Sequence, residues 1–185
     1  MTVKITIDKL GDVIKAISQL SNKDVLVGIP DSAPERTDTP ITNAQIGYVM
    51  ETGSPANNIP ARPFLVPGIA SVQEEVAARL RNGALSALSG SASGTDGALK
   101  AAGMVGQSAV KKKINDGPFT PLSPRTIAQR KRGRQTQSTR KAEKQYAELL
   151  AQGKTEQEAQ DIAGIKPLIN TGSLRNSVTF VVRKK

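Results

Sequence analysis

The chain has 185 residues, with 26 Lys plus Arg against 16 Asp plus Glu and a formal net charge of +10, so phosphate or an acidic protein surface is the partner its charge suggests. Its length suits one ordinary domain, or one domain with an insertion, and can bury a real core. It has neither His nor Cys, which excludes Ser–His and Cys–His nucleophile pairs, imidazole bases, disulfides and Cys/His zinc sites, and confines any catalysis to carboxylate–Mg²⁺, Ser–Lys or Tyr/Lys chemistry.

Val3, Ile5 and Ile7 alternate with Lys4, Thr6 and Asp8, the period of a half-buried strand. The start of the chain has no signal-peptide core, and no apolar run approaches the ~20 residues that span a bilayer, so a soluble protein made in a cytoplasm, with no membrane partner, is expected. Over residues 9–20 the spacing becomes helical, with Leu10, Val13, Ile14, Ile17 and Leu20 on one face. Asp24 to Ile29 reads as a second strand ended by Pro30, and residues 30–40 as a loop. Thr42-Asn43-Ala44-Gln45 has capping-box spacing for a short helix with Ile46, Val49 and Met50 buried, which Gly53 ends. Pro55, Pro60 and Pro63 then force extended backbone, giving a rigid, structured loop.

From Pro67 the spacing predicts one longer helix, its stripe formed by Ile69, Val72, Val76, Leu80 and Leu85 or Leu88. A Ser/Gly-rich loop over 89–97 precedes a second stripe: Leu99, Ala102, Ala109, Val110 and Ile114. Gly103 and Gly106 inside that helix cost about 1 kcal/mol each against Ala, which suggests close packing or a helix that is stable only when docked. Gly117 to Pro124 is turn chemistry, and Ser123 followed by Pro124 starts another short helix. Residues 132–165 read as a flexible stretch followed by an inserted helical hairpin over 139–164: Ala142, Tyr146, Leu149 and Leu150 line its first helix, while a Thr155–Glu158 capping box opens the second, which carries Ala159, Ile162 and Ala163. Thr171-Gly172-Ser173 turns the chain into a short helix at 173–177. Val178, Phe180 and Val182 form a closing strand whose edge Arg183, Lys184 and Lys185 guard. The expected fold is one α+β domain over 1–185, with a small antiparallel or mixed sheet of three or four strands, drawn from both chain ends, packed on a long helix.

The charge is unevenly placed. Residues 1–110 hold 9 basic and 10 acidic side chains, residues 111–185 hold 17 and 6, and between 111 and 141 Asp116 is the one acid. Lys111, Lys112, Lys113, Arg125, Arg130, Lys131, Arg132 and Arg134 are therefore candidates to face a partner or DNA. Two bland roles stand beside that one: a solvated loop kept soluble by charge, and, for Lys111–Lys113, cations at a helix C-terminus where the macrodipole favours them. With Phe119 the sole aromatic between Lys111 and Lys141, base stacking is not indicated, and contact with nucleic acid would be blind to sequence. Glu74 and Glu75 are adjacent on a helix and face different directions, the glycines form no phosphate-binding loop, and neither catalysis nor a cofactor or metal is expected.

Two stretches carry a resemblance. Asn43 to Ser54 running into Ile59-Pro60-Ala61-Arg62-Pro63-Phe64-Leu65 resembles the motif of tailed-bacteriophage neck proteins, in which an E-x-G turn precedes a P-A-R-P-F segment. Pro121-Leu122-Ser123-Pro124-Arg125-Thr126-Ile127-Ala128-Gln129-Arg130, with Lys166-Pro167-Leu168-Ile169-Asn170-Thr171-Gly172-Ser173-Leu174 through Val178, is similar to the PL-S-x-x-T … R … KPL-x-x-TG-x-L-x-x-S pattern of phage tail-completion and virion-morphogenesis proteins. Together these stretches cover roughly a third of the chain, in the expected order, with the hairpin interrupting the second. The resemblance implies a non-catalytic α+β subunit of the virion, assembled in the host cytoplasm, often as a homo-oligomeric ring of about six. It also implies neighbours at the head–tail interface: the tail tube or tail terminator on one side, head-completion or portal-complex proteins on the other, and packaged double-stranded DNA in the channel. Beside it, Arg62 and Phe64 read as a preordered docking anchor, or Phe64 and Leu65 as a plug for the core. The rivals are a free basic protein that binds nucleic acid without sequence specificity, and a carboxylate–Mg²⁺ hydrolase.

Overall fold

The short strand after the first helix pairs with the closing strand of the chain in a computed structural model, which describes residues 10–31, 40–89, 91–132 and 137–185. The expected strand over 3–7, most of the expected loop 30–40, and Arg134 lie outside the described residues. The elements are α1 (Leu10–Ser21), β1 (Lys23–Gly28), α2 (Asn43–Thr52), α3 (Leu65–Ala70), α4 (Gln73–Leu88), α5 (Ala92–Asp116), α6 (Pro124–Arg132), α7 (Gln137–Ala151), α8 (Glu156–Ala163), α9 (Ser173–Ser177) and β2 (Thr179–Lys184). The protein is mixed α+β and mostly helical. Among the described residues its sheet has two antiparallel strands.

Two compact units divide the chain, one of Met1–Gly28, Gly68–Ala109 and Thr179–Lys185, the other of Ile29–Pro67 and Val110–Val178. In the first, β1 and β2 pair with Val25 opposite Val182, Leu26 opposite Val181 and Val27 opposite Phe180. Alternation puts Val27 and Phe180 on the face that meets α5, and the glycines of α5 make that approach feasible. A methyl group on Gly103 would fall on the Phe180 ring, and one on Gly106 would lie 3.0 Å from Val27 Cγ2 and 3.1 Å from Ile69 Cδ1. Leu26 and Val181, on the opposite face, stay about half exposed.

The helix expected from Pro67 is two helices, separated by a turn in which the Ser71 hydroxyl donates to the Gly68 carbonyl at 2.7 Å. Leu85 and Leu88, expected in the buried stripe, are 58% and 60% exposed, while Gly83 and Ala87 are buried. The reason is how closely α4 and α5 cross: a methyl group on Gly83 would sit 2.7 Å from Ala98 Cβ, and one on Gly94 2.9 Å from Ser86 Cβ. Small residues own that contact because leucines would hold the helices apart. The loop expected over 89–97 is correspondingly shorter, since α5 begins at Ala92, with the Gly94 N–H donating to Ser91 Oγ at 3.3 Å.

The second unit gathers the expected motifs. Thr42 and Gln45 close their capping box on α2, and Thr155 and Glu158 theirs on α8, which Gly164 ends in the left-handed conformation. Gly53 also has a positive φ of 77°, where an added methyl would lie 2.9 Å from the Ala61 nitrogen. The hairpin of α7 and α8 buries Tyr146, Ala159 and Ala163 in one cluster with Leu122 and Ile127, against which Leu149, Leu150 and Ile165 pack. Ile162, expected in the stripe of α8, is 52% exposed, and Gln160 takes the inward position.

Candidate functional site

The sequence motifs meet in the second unit as a hydrogen-bonded frame of polar side chains. Its first element is Glu51, near the end of α2. The Glu51 carboxylate accepts N–H bonds from Phe64 at 2.7 Å and Leu65 at 2.8 Å on Oε2, and from Val66 at 3.0 Å on Oε1. These are donors that the start of a helix leaves unpaired, and a carboxylate is their best acceptor. The bond from the Arg62 N–H to the Met50 carbonyl pins the loop upstream, and the Ser54–Ile59 bridge with left-handed Asn58 closes it on itself.

Arg62 is the second element. Its Nε donates to the Thr120 carbonyl at 2.7 Å and its Nη2 to the Pro121 carbonyl at 2.8 Å. Only 5% of Arg62 is exposed, and Phe64 is 2% exposed. Burial corrects the reading of the two as a docking anchor and agrees with the alternative in which Phe64 plugs the core: the guanidinium is consumed by backbone carbonyls, and Phe64 and Leu174 both lie against Gly47. Burial also lowers the Arg62 pKa.

Arg130 is the third element and a second correction. Its guanidinium donates to the carbonyls of Pro167 at 2.7 Å, Ile169 at 3.3 Å and Lys166 at 3.4 Å. Desolvation pushes its pKa down to about 10, with Glu143 pulling it up and Arg62 adding to the decrease. Arg130 therefore ties α6 to the Lys166–Ile169 segment of the same pattern. Asn43 and Ser173 add a reciprocal pair at 3.1 and 3.2 Å between the starts of α2 and α9.

Of the other cations expected at a partner surface, Lys113 is engaged at the end of α5. Its Nζ donates to the Gly117 carbonyl at 2.9 Å and lies 5.8 Å from the centre of the Phe119 ring. Lys111 is half-buried, and Lys112 and Arg125 are exposed. Lys131 and Arg132 lie on α6, their side chains outside the described residues together with all of Arg134.

Sequence reasoning missed Glu51, Gln160 and Glu143. Gln160, 2% exposed, pairs both backbone groups of Leu122, accepting its N–H at 2.8 Å and donating to its carbonyl at 2.7 Å. A glutamine between the small residues Ala159 and Ala163 was the available signal. Glu51 had one too, as the acid of the E-x-G turn.

A cleft of about 430 Å³ opens between the end of α5, the Gly117–Phe119 turn and α8. Asp116, Asp161 and Lys166 line it, and Lys166 Nζ already donates to the Asn115 carbonyl at 2.6 Å. Among the described residues no three acidic side chains are grouped to hold a metal ion, and no helix is long and apolar enough to cross a membrane. Two large apolar side chains of the frame's helices stay exposed, Tyr48 of α2 at 71% and Val66 of α3 at 69%. No family model, curated protein or solved structure matches the chain.

Proposed function

We propose that this chain is a non-catalytic assembly subunit that works by fitting its surface to neighbours. More particularly, we infer a virion structural protein of a tailed bacteriophage, completing the tail end or joining it to the head. The observation that carries this reading is the meeting of the resembling stretches: Arg62 of the first holds Thr120 and Pro121 beside the second, Asn43 holds Ser173, and Arg130 holds Lys166–Ile169. Motif residues that were scattered in sequence brace one another, which gives a rigid frame at little entropic cost to a later docking step. Tyr48 and Val66 sit on that frame as exposed apolar groups of the kind that anchor protein contacts. The proposed neighbours are further copies in a ring of about six, the tail tube or tail terminator, and head-completion or portal proteins. The proposal includes the three- or four-stranded form of the sheet, of which two strands are described.

The test is negative-stain imaging of the purified protein, alone and mixed with assembled tails, together with infectivity of particles made without it. Rings, or added density at one tail end, are expected, and particles lacking the protein should have unjoined heads and tails. Joined, fully infectious particles without it overturn the reading.

A further inference from the structure

We propose that a small pocket lined by Arg130 binds the carboxylate of an acidic side chain, Asp or Glu, presented by a partner protein. The pocket encloses about 170 Å³ and lies wholly within the second unit. Ile46 and Met50 of α2, with Leu168 and Leu174 of the Lys166–Val178 segment, form its apolar wall, and Arg130 and Asn170 are among its polar members. That volume is below the ~300–1,000 Å³ of sites for small-molecule ligands and suits one inserted side chain.

The first observation is what Arg130 leaves unused. A guanidinium carries five N–H donors. Nη1 donates to the carbonyls of Lys166 and Ile169, and Nη2 to that of Pro167. Nε has no acceptor among the described residues, and Nη2 keeps a second N–H without one. These two nitrogens share one edge of the guanidinium plane, the spacing that takes both oxygens of a carboxylate.

The second observation is charge. The carbonyls that hold Arg130 are neutral, and among the described residues it forms no ion pair. Glu143 attracts it and Arg62 repels it, so two guanidiniums share one carboxylate. A desolvated cation is stabilised by a hydrogen-bonded counter-charge, and an incoming carboxylate balances the count. Asn170 is exposed, and its side-chain amide has no partner among the described residues, so it can donate to the same group.

The third observation separates an acidic side chain from a phosphate. Asp and Glu bring their carboxylate on a short alkyl stem, which the wall of Ile46, Met50, Leu168 and Leu174 can cover. A phosphate has no apolar part to bury there. Set among the braced motif stretches, the pocket gives the proposed assembly subunit a point of registry with a neighbour. That a neighbour supplies the acid rests on the proposed function; the chemistry of the pocket does not.

The test is an NMR titration of the full, isotope-labelled chain with N-acetyl-L-glutamate α-amide. The neutral N-acetyl-L-glutamine α-amide, acetate and inorganic phosphate are titrated in parallel at one ionic strength. Saturable shifts are expected at the Arg130 Nε–H and the backbone amide of Asn170. The glutamate analogue should bind at least about tenfold more tightly than the glutamine one, as charge-assisted hydrogen bonds require, and more tightly than acetate or phosphate. Arg130→Lys keeps the charge but loses the fork and should weaken binding about tenfold or more. Since that substitution can also unfold the second unit, Asn170→Glu supplies a second variant: its competing carboxylate should weaken binding to a similar extent with an unchanged circular dichroism spectrum. Equal affinity for the two analogues, tighter binding of acetate or phosphate, unsaturable shifts spread over surface cations, or undiminished binding by Asn170→Glu would overturn the proposal. Absence of probe binding while rings or tail-end density form removes the pocket alone; probe binding while particles without the protein stay joined and infectious removes the neck reading alone.

Discussion

Replacing Arg62 separates a structural guanidinium from a docking one. In Arg62→Ala the carbonyls of Thr120 and Pro121 lose donors at 2.7 and 2.8 Å in a site where the arginine is 5% exposed. Hydrogen bonds to a charged group contribute about 1.5–3 kcal/mol each, and relief of the guanidinium's own desolvation offsets part of the loss. A net destabilisation of about 2–4 kcal/mol follows, equivalent to roughly 5–15 °C in melting temperature for a chain of this size. Arg62→Lys keeps the charge but loses the fork that reaches two carbonyls at once, and about half of that loss is expected. Both tyrosines, Tyr48 and Tyr146, lie in the second unit and there is no Trp, so urea unfolding followed by tyrosine fluorescence reports on that unit. An Arg62→Ala midpoint within ~0.5 kcal/mol of the parent, the range of ordinary surface substitutions, would refute the structural role.

Glu51→Ala removes the acceptor for three N–H groups and should destabilise the same transition by about 2–4 kcal/mol, with Glu51→Gln retaining part of the stability because one amide oxygen still accepts. In α5, Gly97→Ala meets nothing within 4 Å, whereas a methyl group at Gly103 falls on the Phe180 ring. Thermal melts followed by circular dichroism should give a gain of about 0.5–1 kcal/mol for the first and a loss of about 1–3 kcal/mol for the second. At acid pH, the Thr155 backbone and hydroxyl hold Glu158 below the usual carboxylate range, and Lys23 and Lys100 do the same for Asp96. A lowered folded pKa means that the unfolded chain binds more protons. These groups therefore stabilise the fold above about pH 4, and that contribution is lost as pH falls through the folded values. Urea midpoints measured between pH 6 and 3 should decline less steeply in Asp96→Asn and Glu158→Gln than in the parent.

The helix starts were legible because they are local: Thr42 with Gln45, Thr155 with Glu158, and Ser123 before Pro124 each name their own partners within four residues. The strands at 24–28 and 179–182 were legible as short apolar segments, but their pairing with each other was not, because the partner of each lies at the other end of the chain and the expected partner of the first, 3–7, is outside the described residues. The failures share a different cause. Arg62 lies in a loop of prolines, and no period there indicates which side faces inward. Its burial follows from carbonyls 58 and 59 residues away. Leu85 and Leu88 lost the buried face to Gly83 and Ala87 because the approach of α4 to α5 sets what fits. Gln160 broke the polar-outward rule because Leu122 needed both its backbone groups paired.

The hairpin of α7 and α8 bears on how an interrupted motif can still assemble. It separates the Pro121–Thr126 segment from the Lys166–Val178 segment in sequence, yet its own side chains join their surroundings. Gln160 fixes Leu122 directly. Tyr146, Ala159 and Ala163 fill the cluster that holds Ile127. Glu143, 2% exposed, attracts the guanidinium of Arg130, which grips the carbonyls of Lys166, Pro167 and Ile169. An isolated pair of helices this short would not be stable in water, so their order and the order of the two motif segments are mutually dependent.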